Sequence, residues 1–250
     1  MKPDHSVEDR IHHDAVAPHY DALVNVPRDV LSSRIFAQTA KYLPNGRSAM
    51  LDLGAGTGHM SARFGSYFDR VLLVDHSEGM LLQARSNLRS LGARAEFVHS
   101  DVIEFVEKCE IRFDLVACVG FLHHLASDEL ARVLSGVSRR LLPGGVLLFA
   151  EPIVTKTAEP PLVRWWNAPS LPALSRYLEL APPPEEEMLD LANTKAALKE
   201  RGFKLVYERR AWELYTRLSG NVVDRLAIAA IDAICHRDGM IWFGVAKHEA

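Results

Sequence analysis

The stretch Leu51-Asp-Leu-Gly-Ala-Gly-Thr-Gly-His59 sets three glycines on alternate positions behind an apolar run. Glycine costs backbone entropy, so such a cluster marks a place where the chain bends sharply or lets a ligand reach bare peptide. Between a strand and a helix, those N–H groups sit at the positive end of a helix dipole. Asp75 closes the next apolar run about twenty positions on, where a carboxylate can accept both hydroxyls of a ribose. Asp101 closes a third run and is followed by Val102-Ile103, an edge suited to an adenine amino group and ring. Alone, the glycine loop reads as a tight turn and an aspartate behind a strand as a helix cap. Together, at three successive strand ends, they point to a nucleoside-bearing ligand on the carboxyl edge of an open α/β sheet.

Side chains able to move a proton lie elsewhere. They are His123 and His124 in FLHHL, His19 and Tyr20 in APHYDAL, and Glu151 behind the fifth apolar run. Glu151 is expected to order its loop rather than to remove a proton. His12 and His13 are adjacent, so on a helix they diverge, and no metal site is expected.

Positioning these groups requires regular elements. Strands are predicted at 48–54, 70–75, 95–101, 113–120 and 145–151, several of them apolar at nearly every position, as in a parallel sheet covered on both faces. Ser77 is placed to cap a helix with Met80, Leu81, Ala84, Leu88 and Leu91 on one stripe. Ser127 is placed to cap another, which Pro143-Gly-Gly145 stops. Strand–helix alternation argues for a parallel sheet with right-handed crossovers. Regularity lapses at 152–184, rich in proline and aromatics, and at 218–236, which reads as an apolar helix. A helix through 185–202, stopped by Gly202, leads to a sixth strand at 203–212, and a last strand covers 240–248. The first 20 residues, polar and carrying four of the eleven histidines, read as a mobile lead-in.

The 250 residues are long enough for one α/β domain with insertions, and their net charge of -3 gives a nucleic-acid backbone no electrostatic support. Cys109, Cys118 and Cys235 have no metal-like spacing, which fits free thiols in a reducing compartment. With no signal-peptide core and no apolar run of membrane length, a cytoplasmic address without a membrane span is expected.

The segments LDLGAGTG, LLVDHSEGML, FVHSDV, FDLVACVGFLHHL and LLPGGVLLFAEP resemble, in order and spacing, the successive motifs of class I S-adenosylmethionine-dependent methyltransferases. The resemblance covers about residues 48–152. Asp52 precedes GxGxG rather than GxGxxG, which sets the pattern apart from a dinucleotide fingerprint. It implies a Rossmann-like, doubly wound, seven-stranded, mostly parallel sheet whose last strand is antiparallel, with helical insertions. The single domain 1–250 would comprise N-terminal lid helices (1–45), a cofactor half (46–152) and substrate-side insertions at 153–185 and 218–236.

By the same resemblance, S-adenosyl-L-methionine is the cofactor and S-adenosyl-L-homocysteine the product. Asp52, Gly54, Ala55, Gly56 and Gly58 would line its methionine part, and Asp75 would take the ribose hydroxyls with His76 and Met80 beside the adenosine. Asp101 and Val102 would hold the adenine, and Val119 would offer its carbonyl to the cofactor's amino group. His124 and Tyr20 are the expected catalytic residues. His123, Trp165 and Trp166 would touch a small, partly apolar or aromatic acceptor methylated on O, N or C. Leu171, Leu174, Tyr177, Trp212 and Tyr215 would complete a roof, with Arg164 and Arg176 near an acidic group; the same residues would alternatively pack the core or form a homodimer face. No nucleic-acid partner is expected. The alternatives are a nicotinamide-dependent oxidoreductase on a similar sheet, or a non-catalytic relative that keeps the cofactor site.

Overall fold

The computed structural model describes residues 5–170, 179–180, 188–216 and 221–249. Seven strands form one sheet in the order β3-β2-β1-β4-β5-β7-β6: β1 Ala49–Leu53, β2 Arg70–Asp75, β3 Ala95–His99, β4 Phe113–Val119, β5 Leu141–Pro152, β6 Phe203–Ala211 and β7 Ile241–His248. β1 to β5 pair in parallel, and β7 runs antiparallel to both β5 and β6. Neighbouring side chains of a strand point to opposite faces, so an apolar run feeds two cores at once. Met50, Leu73, Leu115 and Leu148 enter one core, and their neighbours Leu51, Leu72, Val116 and Leu147 enter the other. The chain builds outward from β1 to β3 and then returns to place β4 on the other side of β1. That reversal opens the crevice where ligands of open α/β sheets bind.

Helices cover both faces: α1 His5–Tyr20, α2 Val26–Thr39, α3 His59–Phe64, α4 Glu78–Asn87, α5 Val102–Lys108, α6 Ser127–Arg140, α7 Pro161–Asn167, α8 Leu191–Glu200 and α9 Val222–Cys235. Ser77 caps α4 as its sequence predicts, accepting the Met80 N–H at 3.0 Å. Ser127 does not cap α6. The cap position falls on Ala126, whose N–H donates to Glu129 at 2.9 Å. Pro143-Gly-Gly145 lies inside β5, which begins directly after α6, and the pairing with β4 shifts register there. α8 begins at Leu191 rather than 185, because Asp190 accepts the Asn193 N–H and Leu189 bridges Ile153 outside the helix. Leu171, Leu174, Arg176 and Tyr177 lie outside the described residues. No helix among the described residues is long and apolar enough to cross a membrane.

The N-terminal segment departs from expectation. From residue 5 it is no mobile lead-in but helix α1, continued through a π-helical turn, Asp21–Asn25, into α2. Val16 and Ala17 are buried against Met80 of α4. Polar contacts then fix the arrangement. Asp14 accepts the Ser77 hydroxyl at 2.6 Å and the Gly79 N–H at 2.9 Å, and Asp21 accepts the Thr57 hydroxyl at 2.5 Å and the Asn87 amide at 2.7 Å. Composition alone hides this docking, because the carboxylates that make the segment read as solvated find partners across the crevice.

Asp14 is exposed, so its two bonds contribute about 1 kcal/mol. Asp14→Ala should therefore speed amide exchange across α1 by roughly 5-fold while leaving β1 to β5 protected, as read by hydrogen-exchange mass spectrometry. Unchanged exchange in α1 would show that its apolar face alone holds it down.

Candidate cofactor and acceptor site

The glycine loop turns on three left-handed residues, Gly54, Gly56 and Gly58, with φ of 62°, 52° and 82°. A Cβ on Gly54 would stand 2.4 Å from the Phe121 ring, so that position demands glycine for space as well as φ. A Cβ on Gly56 would meet nothing within 4 Å, and Gly56 lines a cavity. Bare backbone there faces open space. Asp75 holds the loop shut beneath it. One carboxylate oxygen accepts the Gly56 N–H and the other accepts the Ser77 N–H, both at 2.8 Å.

This first cavity is walled by Asp52, Gly54, Ala55, Gly56, Asp75 and Met80, with His76, Val102 and Val119 completing the positions expected from sequence. Two expected residues are absent from it. Gly58 opens α3, and a side chain there would collide with Leu88 at 2.8 Å, so its role is packing. Asp101 is exposed and caps α5, accepting the Glu104 N–H at 2.8 Å. α1 and the π turn add Asp9, His13, Tyr20 and Asn25 to the wall. Asp9, His13 and Asn25 were not expected; the Asp9–His13 spacing of one helical turn is the signal that sequence offered.

A second cavity of about 510 Å³ adjoins the first, and the two share His13, Tyr20, Asn25, His59, Val119, Gly120 and His124. Its apolar walls come from Val24 of the π turn, Leu31 and Phe36 of α2, Ala150 and Phe243 of the sheet, and Trp212 and Leu214 behind β6. Trp212 is where the roof was expected; Trp165 and Trp166 are not. Trp165 is 63% exposed, and Trp166 is buried in the core with its indole N–H donated to the Tyr215 carbonyl at 2.8 Å. α7 packs through Val163 and Trp166, so the tryptophan beside them on the helix, Trp165, points outward. Arg164 lies near Glu159 on the exposed side, away from both cavities.

Three carboxylates control the charge. Burial pushes the Asp52 carboxyl up to about 7, against hydrogen bonds from the Ser61 N–H at 3.0 Å and hydroxyl at 2.6 Å. Burial would raise Asp9 as well, but the imidazoles of His124, His13 and His76 hold it far below the usual carboxylate range. Glu151 is fully buried. It accepts the Phe121 N–H at 3.1 Å and lies 2.8 Å from His123 Nδ1, so it orders the loop behind β4 as expected and also fixes an imidazole. His123 borders the second cavity alone, whereas His124 borders both, with Nδ1 3.1 Å from Asp9 Oδ1. His19 is exposed and borders neither cavity.

Because the folded Asp52 value lies above its unfolded value near 3.8, the protonated carboxyl favours the fold. That stability is complete below about 4 and is lost as pH rises through about 7. Denaturant titrations of the ligand-free chain should show Asp52→Asn gaining about 2–4 kcal/mol on the wild type across this window. A gap that does not change with pH would refute the assignment.

A family model described as "Methyltransferase domain" matches residues 50–145. Over 119 residues the chain is 29% identical to a carboxy-S-adenosyl-L-methionine synthase of Wolinella succinogenes, covering 46% of this chain and 48% of that one. Over 126 residues it is 32% identical to a demethylmenaquinone methyltransferase of Leptospira interrogans, covering 48% of each. The matched segment thus spans about half the length of these curated relatives. The fold is shared with an N-methyltransferase from Bradyrhizobium japonicum solved with S-adenosyl-L-homocysteine, at TM-score 0.58, 13% identity and coverage of 92% and 98%. The open space over Gly56 and the buried Asp52 and Asp75 beside it fit a nucleoside that carries an ammonium and a sulfonium. The matched domain, the shared fold and this cradle agree: residues 50–145 carry a methyltransferase domain, and the chain is similar to class I S-adenosylmethionine-dependent methyltransferases.

Proposed function

We propose that the protein transfers the methyl group of S-adenosyl-L-methionine to a small, neutral, largely apolar acceptor that carries a hydroxyl or amine. The observation that carries this reading is the meeting of the two cavities at Tyr20, Val119 and His124, which opens the cofactor cradle directly onto an apolar chamber. When bound, the cofactor supplies an electrophilic methyl on a sulfonium. Asp75, Met80 and Val102 hold its adenosine end, Asp52 faces its ammonium end, and Asp101 reaches the adenine from the rim while capping α5. Tyr20 closes the lid over the junction and keeps water from the reacting centre.

His123 is assigned as the base that takes the acceptor's proton. Its Nδ1 is held by a fully buried Glu151, which leaves Nε2 as the proton-accepting nitrogen. His124, the residue expected from sequence, borders both cavities with Nδ1 3.1 Å from Asp9 Oδ1. Neutrality of the acceptor follows from Arg28, the one arginine or lysine in the chamber wall among the described residues. Arg28 Nε lies 2.9 Å from Glu213, which also accepts the Tyr215 hydroxyl at 2.5 Å, so its charge is already met. The name of the demethylmenaquinone relative makes hydroxylated naphthalene rings a sensible first probe. A nicotinamide cofactor is not favoured, since both the loop spacing and the family match run against it.

Calorimetry with S-adenosyl-L-homocysteine should show tight binding that Asp75→Ala weakens by about 10- to 100-fold, because a buried hydrogen-bonding partner is lost. With 1,4-dihydroxynaphthalene and labelled S-adenosyl-L-methionine, His123→Gln should lower kcat by about 10²- to 10⁴-fold without changing affinity for the homocysteine product. A wild-type chain that binds NADH in preference to S-adenosyl-L-homocysteine would sink the proposal.

A further inference from the structure

Where the two cavities meet, α1 carries a group that methyl transfer from a sulfonium does not by itself require. Asp9 and His13 lie one turn apart on α1 and face the short turn behind β4 that bears His124. One ligand atom from each of the three lies within 4.8 Å of the others. Asp9 is 5% exposed, and its Oδ1 lies 3.1 Å from His124 Nδ1 and 3.3 Å from His13 Nδ1. A buried carboxylate flanked by imidazoles presents its ligand atoms to a cation without a further conformational change. The spacing suits one. Ligand atoms about 2.0–2.1 Å from a tetrahedral ion stand about 3.3 Å from each other.

The surroundings supply the supporting bonds that such sites use. The Asp9 carbonyl lies 2.9 Å from His13 Nδ1 and can take that ring's N–H, leaving Nε2 basic. His76 Nε2, 3.2 Å from Asp9 Oδ2, orients the carboxylate from the other side. Two imidazoles with one carboxylate match zinc, cobalt or iron(II) rather than calcium or magnesium, which prefer oxygen.

We propose that Asp9, His13 and His124 bind one divalent first-row transition-metal ion at the junction of the two cavities. Three protein ligands leave coordination positions open, and the cavities on either side are where those positions face. An acceptor oxygen coordinated there would be held beside the cofactor cradle and its proton made more acidic. His124 then serves as a ligand while His123 remains the base. The ion site does not depend on the methyl-transfer reading, because it can bind metal whether or not the cradle takes S-adenosyl-L-homocysteine.

The test uses the untagged full-length chain, stripped with chelator and titrated with Co²⁺. The proposal expects one Co²⁺ per chain with visible d–d absorption, and a loss of at least about 10-fold in affinity in both Asp9→Asn and His13→Ala. His12→Ala, a change of the neighbouring imidazole, should leave Co²⁺ binding in place. X-ray absorption of the wild-type Co²⁺ complex, which needs no variant to fold, should show two imidazole ligands. Absence of stoichiometric binding, equal losses in all three variants, or no imidazole at the metal would overturn the site. Calorimetry with S-adenosyl-L-homocysteine on the same sample reports on the cofactor reading separately.

Discussion

The Asp75 carboxylate, shared between the Gly56 and Ser77 N–H groups, is the interaction on which the rest of the site depends. One oxygen fixes the glycine loop behind β1. The other fixes the turn that starts α4. A single buried side chain at the tip of β2 thus sets the distance between the two halves of the crevice. Its strength comes from geometry, since a carboxylate that accepts backbone N–H groups in a sheltered site makes bonds roughly twice as strong as neutral ones.

From that turn the order propagates outward. Ser77, held by Asp75, caps α4 with its hydroxyl oxygen and donates its proton to Asp14. Asp14 in turn seats α1, and the π turn passes the lid over the glycine loop, where Asp21 and Asn25 meet Thr57. π-helical turns of this kind recur at functional sites because they redirect side chains within an otherwise regular helix. Here the turn falls between Tyr20 and Val26, and residues on both sides of it face the cavities. The N-terminal helices therefore border the same crevice as the glycine loop, and they bring Asp9 and His13 to it.

The second cavity shows how the same chain disposes of its aromatic residues. Trp166 satisfies its indole N–H on the Tyr215 carbonyl and so packs α7 onto the segment behind β6. That contact frees Trp212 and Leu214, a few residues earlier, to face the chamber. A polar-tipped aromatic is buried most readily where its tip finds a partner, as Trp166 does on the Tyr215 carbonyl, and Trp212 is buried beside it at the chamber wall.

Residue order alone made legible the parts that repeat with a period or sit at a fixed offset. Apolar runs marked β1 to β5, glycine spacing marked the loop, and Asp52, Asp75 and Val119 fell at strand tips because a parallel sheet aligns those tips along one edge. The free cysteines and the antiparallel last strand were legible too. Only the tertiary structure decided what the non-periodic parts do: that α1 docks instead of waving, that Gly58 packs against Leu88, that Trp165 faces outward, and that Glu151 holds His123. The physical reason is common to all four. Each depends on a partner between about 30 and 65 residues away in sequence or on the packing of a neighbouring helix, and hydropathy and spacing carry no record of which distant group will satisfy a buried polar atom.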